Sequence, residues 1–179
     1  MKNLLYLLFV LTCTAACKKE IDELPPATET GANKFGARVD GALWVPQKFG
    51  VMQGTAILEA RYTGTGGVFI NARNFASSPT ETEFELYIQN ITGPGTYQLN
   101  TNTAKFPNAA ASYGYYIKRK LMPQGEWITN SQQTGSITIT KYDTVSHILS
   151  GSFAFTAASI DNTASPLEVT EGRFDIKVQ

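Results

Sequence analysis

The sequence predicts an all-β protein, and three observations lead to this prediction. Short segments alternate apolar and polar residues in period two, which is the pattern of half-buried strands. Turn-forming glycine, proline, asparagine and aspartate residues recur between these segments, at the spacing typical of a sandwich or a barrel. β-branched and aromatic residues dominate, and no long stripe of period 3.6 indicates a helix. We therefore expect an antiparallel β-sandwich of roughly ten strands, with a closed antiparallel β-barrel as the alternative.

The first predicted hairpin gives the strongest local signal. Residues 35–39 alternate, Asp40-Gly41 supplies the positive φ angles of a two-residue turn, and residues 42–45 return. A second pair of strands is predicted over 55–63 and 67–75, around a Gly-Thr-Gly turn.

Residues 82–90 predict an amphipathic strand with one face in the core and one in solvent. Its core-facing residues are expected to be Phe84, Leu86 and Ile88. Its solvent-facing residues are expected to be Glu83, Glu85, Tyr87 and Gln89. Gly93-Pro94-Gly95 ends the strand, because proline cannot donate a hydrogen bond to a central ladder. A short strand follows at 97–99, and the aperiodic residues 100–111 predict a surface loop.

The second half of the chain continues in strands, which are predicted over 113–119, 126–130, 136–142, 148–157 and 172–179. A turn at residues 122–125 separates the first two of these strands. The last strand alternates cleanly, so Arg173, Asp175 and Lys177 are expected to face solvent. Residues 35–179 are therefore expected to form one all-β domain.

The start of the chain has the pattern of a secretory signal peptide. The apolar run 4–11 fits a signal-peptide core of about 7–15 residues and is shorter than the roughly 20 residues that span a bilayer. Residues 14–17, Thr-Ala-Ala-Cys, resemble a bacterial lipobox, in which the chain is cut before a cysteine that is then acylated. We expect a lipoprotein signal peptide over residues 1–16 and lipidation at Cys17. An ordinary cleavage site, which would release a soluble protein, is the alternative.

Residues 17–34 are expected to form the lipidated cysteine and a disordered tether. They are polar, charged and proline-bearing, with little apolar surface to bury. Glu20, Asp22 and Glu23 resemble the surface-export signal of Bacteroidota lipoproteins, and Lys18 argues against retention at the inner membrane. The expected location is the outer membrane, lipid-anchored, with the domain on the cell surface. A periplasm-facing domain is the alternative.

Composition excludes several classes of function. The 15 basic and 15 acidic residues give a formal net charge of zero, and the basic residues are scattered, so no nucleic acid partner is expected. Cys13 leaves with the signal and Cys17 is acylated, which leaves the folded domain without a cysteine. Disulfides, thiol chemistry and cysteine-ligated zinc are therefore excluded.

Candidate catalytic residues are few, and we expect no enzyme. His147 is the single histidine, which is too few for a catalytic zinc site, and no nucleophile elbow or phosphate-binding loop occurs. Glu81, Glu83 and Glu85 share one strand face and suggest the carboxylate pair of a glycoside hydrolase, although a solvated sheet face is the simpler interpretation. Residues 159–163 offer oxygen atoms but lack the several carboxylates of a calcium loop. The sequence predicts no metal and no cofactor.

Aromatic residues provide the one binding signal. Tyr113, Tyr115 and Tyr116 cluster with Trp127 around a predicted hairpin, and flat aromatic faces with polar rims stack on sugars or bind proteins. We single out these four residues as candidate ligand contacts, with burial in the core as the alternative. Trp44, just after the first hairpin, is expected in the core.

The two ends of the predicted domain resemble one family. Phe35-Gly36-Ala37-Arg38-Val39-Asp40-Gly41 followed by Trp44, and the later strands at 151–155 and 172–174, resemble small Bacteroidota lipoproteins of unknown function. The resemblance implies an envelope lipoprotein and carries no activity with it.

Three functions follow, in order of preference. The first is a non-catalytic envelope lipoprotein that binds an extracellular glycan or protein, which predicts an exposed aromatic patch and no deep polar cleft. The second is a carrier of a small ligand or glycan within a barrel, which predicts an internal cavity. The third is a carboxylate-dependent hydrolase, which predicts two convergent acidic residues in a cleft, one with a raised pKa.

Overall fold

The structure, a computed structural model, describes residues 23–48, 56–76, 81–119 and 122–179. These residues contain eleven antiparallel strands. The strands are β1 (Lys34–Val39), β2 (Ala42–Trp44), β3 (Leu58–Tyr62), β4 (Val68–Asn74), β5 (Glu81–Ile88), β6 (Gly95–Gln98), β7 (Tyr113–Arg119), β8 (Pro123–Ile128), β9 (Gly135–Asp143), β10 (Ile148–Ser159) and β11 (Leu167–Lys177). The all-β class is therefore confirmed. Cys17 and the signal peptide lie outside the described residues.

The strands form one sheet that curls strongly into an open half-barrel. Their order is β2-β1-β11-β10-β8-β7-β5-β4-β3, and β9 pairs with both β10 and β6. The long strand β10 joins two halves of the sheet, one made of β1, β2, β6, β9 and β11 and the other of β3, β4, β5, β7 and β8. Residues 148–155 of β10 pair with β9 in the first half, while Ala158 and Ser159 pair with β8 in the second. The structure does not show the predicted two-sheet sandwich, since this shared strand makes the two halves continuous.

The inner face of the curled sheet forms the main core. Phe84 on β5 lies at its centre, with ring centroids 4.7 Å from Trp44, 5.6 Å from Phe35 and 5.0 Å from Tyr116. The predicted positions of Trp44 and of the apolar face of residues 84–88 are confirmed, because all of these side chains are buried. Period-two alternation therefore identified the inner face of this strand.

The first hairpin is confirmed in detail. Val39 pairs with Ala42 across a turn in which Asp40 has a φ of 48° and Gly41 a φ of 79°. The last strand differs from its prediction, because β11 begins at Leu167 rather than at Gly172. Glu171, with a φ of 52°, lies in a bulge that interrupts the period-two pattern at this point.

Residues 24–33, which we call the N-terminal strap, lie against the domain before β1 begins. The Arg173 guanidinium donates to the Pro25 carbonyl, and a Cβ on Gly36 would approach Pro25 Cδ to 2.7 Å. The Lys177 amide donates to Asn33 Oδ1 over 3.0 Å. The prediction of a disordered tether as far as residue 34 is therefore wrong for this segment, since its polar groups find partners on β11.

Candidate functional site

The three candidate tyrosines lie on β7 and are buried. Their exposed fractions are 0% for Tyr113, 0% for Tyr115 and 7% for Tyr116. Tyr116 belongs to the main core, where its ring lies 6.1 Å from that of half-buried Trp127. The Trp127 indole N–H donates to the Ser165 carbonyl over 3.0 Å. The expected exposed patch is not met at this hairpin, and ligand binding by these four residues stays a prediction.

The loop between β6 and β7 covers the outer face of the sheet and buries the other two tyrosines. The Phe106 amide donates to the Tyr113 hydroxyl over 2.9 Å, and the Phe106 ring lies 6.0 Å from Tyr87. Lys105 Nζ lies 4.0 Å from the centroid of the Tyr115 ring, in cation–π contact. The solvent-facing prediction for Tyr87 is wrong, because this loop provides a second apolar layer.

The predicted solvated face of glutamates is partly desolvated. Glu83 is 7% exposed and pairs with Arg119 Nη2 at 3.1 Å and with Arg73 Nε at 3.7 Å. The Asn71 amide donates to Glu83 Oε1 from the neighbouring strand. Glu81 binds the same Arg119 at 3.1 Å. A carboxylate held by two guanidinium groups is compensated in place, which fits a structural role rather than a catalytic one.

Two further carboxylates on this face have opposite pKa shifts. Burial raises the pKa of Glu85, whose Oε2 accepts a bond from the Tyr113 hydroxyl over 3.2 Å. The Tyr115 hydroxyl donates to Glu126 and is the main cause that lowers its pKa, and Lys105 adds an ion pair at 3.3 Å. Divergent pKa values are typical of acid–base pairs. Here each carboxylate is bound to a buried tyrosine beside the covering loop.

His147 and the 159–163 segment carry little chemistry. His147 is exposed in the turn between β9 and β10, and its ring lies 6.3 Å from that of Tyr62. Asp161 accepts bonds from Ser159 Oγ and from the Thr163 hydroxyl, which help to lower its pKa to about 2. These bonds fit the turn-forming interpretation of the segment. Among the described residues, no group of three or more acidic, histidine or cysteine side chains is placed to hold a metal ion.

A cleft of about 860 Å³ lies where β1 begins and β11 ends. Its accessible apolar residues include half-buried Pro46, Ile57 and Leu58, whereas Phe35, Val45 and Val178 also line it but are buried. Its ionisable residues come from separate parts of the chain: Glu23, Lys34, Lys48, Glu59, His147 and Lys177. Sequence analysis missed this site, because these residues share no spacing or motif and meet only after the sheet curls.

The side chains that line the cleft include three lysines and two carboxylates, Glu23 and Glu59. Glu59 is paired with Arg73 at 3.7 Å, outside the cleft lining. Within the described ranges, no carboxylate lies within ion-pair distance of Lys34, Lys48 or Lys177. Lys48 and Lys177 are exposed, so their ammonium groups are available to an anionic ligand.

Asp175 fixes the strap that forms one wall of this cleft. Its side chain is 1% exposed on the outer face of β11, where it had been expected in solvent. Its carboxylate accepts bonds from Thr28 Oγ1 (2.6 Å), Thr30 N (3.0 Å), Thr30 Oγ1 (3.3 Å), Gly31 N (2.7 Å), Ala32 N (3.1 Å) and Ser150 Oγ (2.8 Å). Burial alone would raise the pKa of Asp175, but these bonds hold it well below its usual range.

Comparison with known proteins assigns the chain to a family. The model of a domain of unknown function, DUF6252, matches residues 33–176, which is well over half of the sequence. The chain belongs to the DUF6252 family. No curated protein and no solved structure shows a significant match to this DUF6252 chain. The described part of the chain has no helix long and apolar enough to cross a membrane.

Proposed function

We propose that this DUF6252 protein is a non-catalytic binding module of the bacterial cell envelope, anchored by a lipid on Cys17. The cleft at the start of β1 is its ligand site. One observation carries the proposal: the half-barrel gathers apolar and cationic side chains from distant segments around about 860 Å³. Ligand pockets typically enclose about 300–1,000 Å³, with mostly apolar walls and a few polar groups.

The charge of the cleft supports an anionic ligand. Lys34, Lys48 and Lys177 outnumber the two carboxylates of the lining, Glu23 and Glu59, and Glu59 also pairs with Arg73, which it shares with Glu83. Ammonium groups beside an apolar wall suit a small molecule that carries a carboxylate or phosphate group. The size of the cleft favours carriage of a small ligand as the second candidate function.

The position of the carboxylates supports binding over catalysis. Glu83, Glu85 and Glu126 lie on the outer face of the sheet, where arginine and tyrosine side chains bind them. None of the three lines the cleft. A hydrolase needs a substrate site between its two acids, whereas here the residues of the loop after β6 occupy the neighbouring space.

The anchor proposal rests on the sequence of residues 1–17, and lipidation can be tested directly. Cells that express the full chain are grown with labelled palmitate, beside cells that express Cys17→Ser. Label in the unaltered protein and none in Cys17→Ser is expected. Equal label in both would overturn anchoring at Cys17.

The side of the membrane is tested by adding a lysine- or glutamate-directed protease to intact cells. Because the strap is docked, cleavage is expected before residue 24, at Lys18, Lys19, Glu20 or Glu23. Release of the domain from intact cells is expected for surface display. Release only after lysis would place the domain in the periplasm.

Ligand binding is tested by thermal unfolding of the full chain with a panel of small organic anions. A ligand present at 100 times its Kd stabilises the folded state by about 2.7 kcal/mol. The rise in unfolding temperature that the ligand causes should shrink in Lys177→Gln. It should persist in Lys118→Gln, because Lys118 is a matched exposed lysine on β7 outside the cleft. Equal shifts in the two variants would contradict the proposed site.

A further inference from the structure

The cleft lies at the end of the domain from which the strap leaves towards Cys17. Glu23, the first residue that the structure describes, lines the cleft together with Ser146, His147 and Lys177. Arg173 donates to the carbonyl of Pro25, two residues after this point, and Asp175 fixes the strap further along, at residues 28–32. The direction in which the chain leaves the domain is therefore set by the fold.

The distance from the cleft to the anchor is short. Six residue steps separate Cys17 from Glu23, and a fully extended chain spans at most about 3.6 Å per step, or roughly 20 Å in all. Strand β10 starts beside the cleft at Ile148 and ends at Ser159, roughly 35 Å away at about 3.3 Å per residue. A chain anchored at Cys17 therefore keeps the cleft end within about 20 Å of the bilayer, whereas the far end of β10 can lie up to roughly 35 Å further away.

The charges at this end match a membrane surface. Lys34, Lys48 and Lys177 face the cleft, and each lysine near an anionic surface strengthens attraction by about five-fold. Half-buried Pro46, Ile57 and Leu58 line the same cleft as these lysines and supply its accessible apolar surface. A phosphate group with an attached glycerol and acyl chain has both features, charge and apolar surface.

We infer that the cleft faces the membrane that anchors the protein and binds the phosphate of an anionic lipid headgroup. The orientation rests on the proposed lipidation of Cys17, whereas recognition of the headgroup rests on the cleft alone. The two parts are therefore tested separately.

Headgroup recognition is tested by nuclear magnetic resonance on the purified protein. His147 is the single histidine and lines the cleft, so its ring signal reports binding without further assignment. The probes are dihexanoyl phosphatidylglycerol, dihexanoyl phosphatidylcholine and inorganic phosphate, each below any micelle concentration. Saturable shifts of the His147 ring signal are expected with dihexanoyl phosphatidylglycerol, at a Kd at least ten-fold lower than with the other two probes.

Variants locate the effect. Lys34→Gln and Lys177→Gln should each raise the Kd for dihexanoyl phosphatidylglycerol by roughly five-fold, whereas Lys118→Gln should leave this Kd unchanged. Equal shifts with both lipids, or lysine variants that titrate like the unaltered protein, would overturn the inference. Saturation by phosphate as tight as by the lipid would assign the site to a free anion and also overturn it.

Orientation is tested with the lipidated protein in vesicles, where acylation leaves Cys17 without a reactive thiol. A fluorophore is placed at Val145→Cys, in the hairpin beside the cleft, or at Ala164→Cys, beyond the far end of β10. Energy transfer to labelled headgroups should be several-fold higher from residue 145. Equal transfer would refute the orientation, and failure of the protein to enter vesicles would instead refute anchoring at Cys17.

Discussion

Replacement of Asp175 by asparagine should release the N-terminal strap from the domain. The wild-type carboxylate lies buried on β11 and accepts six hydrogen bonds, five from the strap and one from Ser150. Asparagine has the same shape but carries an amide group where one oxygen stood. Because every partner in this network donates, the amide N–H groups meet other donors.

The magnitude follows from the two oxygens. Oδ1 accepts from Gly31 N and Ser150 Oγ, so an amide nitrogen there orphans one backbone N–H while the hydroxyl can turn to accept. An unsatisfied buried donor costs about 1–3 kcal/mol. Loss of charge weakens the remaining bonds, since bonds to charged groups contribute about 1 kcal/mol more than neutral ones. We expect Asp175→Asn to lower the free energy of unfolding by about 3 kcal/mol.

Urea unfolding at pH 7, followed by the fluorescence of the two tryptophans, measures this loss. With an m-value of about 2 kcal/mol/M, the midpoint should fall by about 1.5 M. A glutamate-directed protease should also cut after Glu29 faster in the variant. Asp161→Asn is the matched control, because Asp161 is exposed and accepts bonds only within its own turn. An unchanged midpoint with unchanged cleavage at Glu29 would refute the role of Asp175.

The same substitution should make the free energy of unfolding depend less on pH below about pH 5. The pKa of Asp175 is lower in the folded state than the value of about 3.9 in unfolded chains, so its contribution is complete above about pH 5. As the pH falls below the unfolded pKa, the contribution shrinks by up to about 1.4 kcal/mol per pH unit. The difference between wild type and Asp175→Asn should therefore narrow from pH 5 to pH 3. A constant difference would show that the charge is not what holds the strap.

Three further substitutions test the packing of the sheet by urea unfolding. Burial raises the pKa of Glu85, so its charge disfavours the folded state above about pH 4.5. Glu85→Gln can still accept the bond from Tyr113 and should therefore stabilise the protein at pH 8 more than at pH 4. A larger stabilisation at pH 4 than at pH 8 would contradict this cause. Gly172→Ala places a Cβ 2.5 Å from the carbonyl oxygen of Phe153 and should cost about 2 kcal/mol, and an unchanged midpoint would show that the backbone relaxes freely. Phe106→Ala removes the ring of the loop between β6 and β7 and should lower the free energy of unfolding by about 2–3 kcal/mol. It should also make Tyr87, Tyr113 and Tyr115 reactive to nitration, because this ring packs on their cluster. Unaltered reactivity would show that other residues cover these tyrosines.

Local rules predicted the strands well. The Asp40-Gly41 turn and the alternation of residues 84–88 depend on nearest neighbours, so the sequence alone contains the necessary information. The same rules misjudged the bulge at Glu171, where one extra residue shifts the pattern.

The second face of the sheet could not be predicted in this way. Alternation places Glu83, Tyr87 and Asp175 on the face opposite the core, and that part is correct. Whether that face meets water depends on distant segments without any period: the loop that carries Phe106, and the strap. The cleft was missed for the same reason, since curvature of the sheet decides which residues meet.

Pairing of the first strand with the last has a consequence for how the protein folds. Lys34 on β1 pairs with Asp175 on β11, and the bond from Thr28 to Asp175 spans 147 residues. Contacts between residues so far apart in sequence slow folding, because loop closure must precede the energy that the contact returns. A chain that emerges with its N-terminus first cannot complete the sheet, or dock the strap, until β11 is available. We therefore expect the cleft to be among the last parts of the molecule to form.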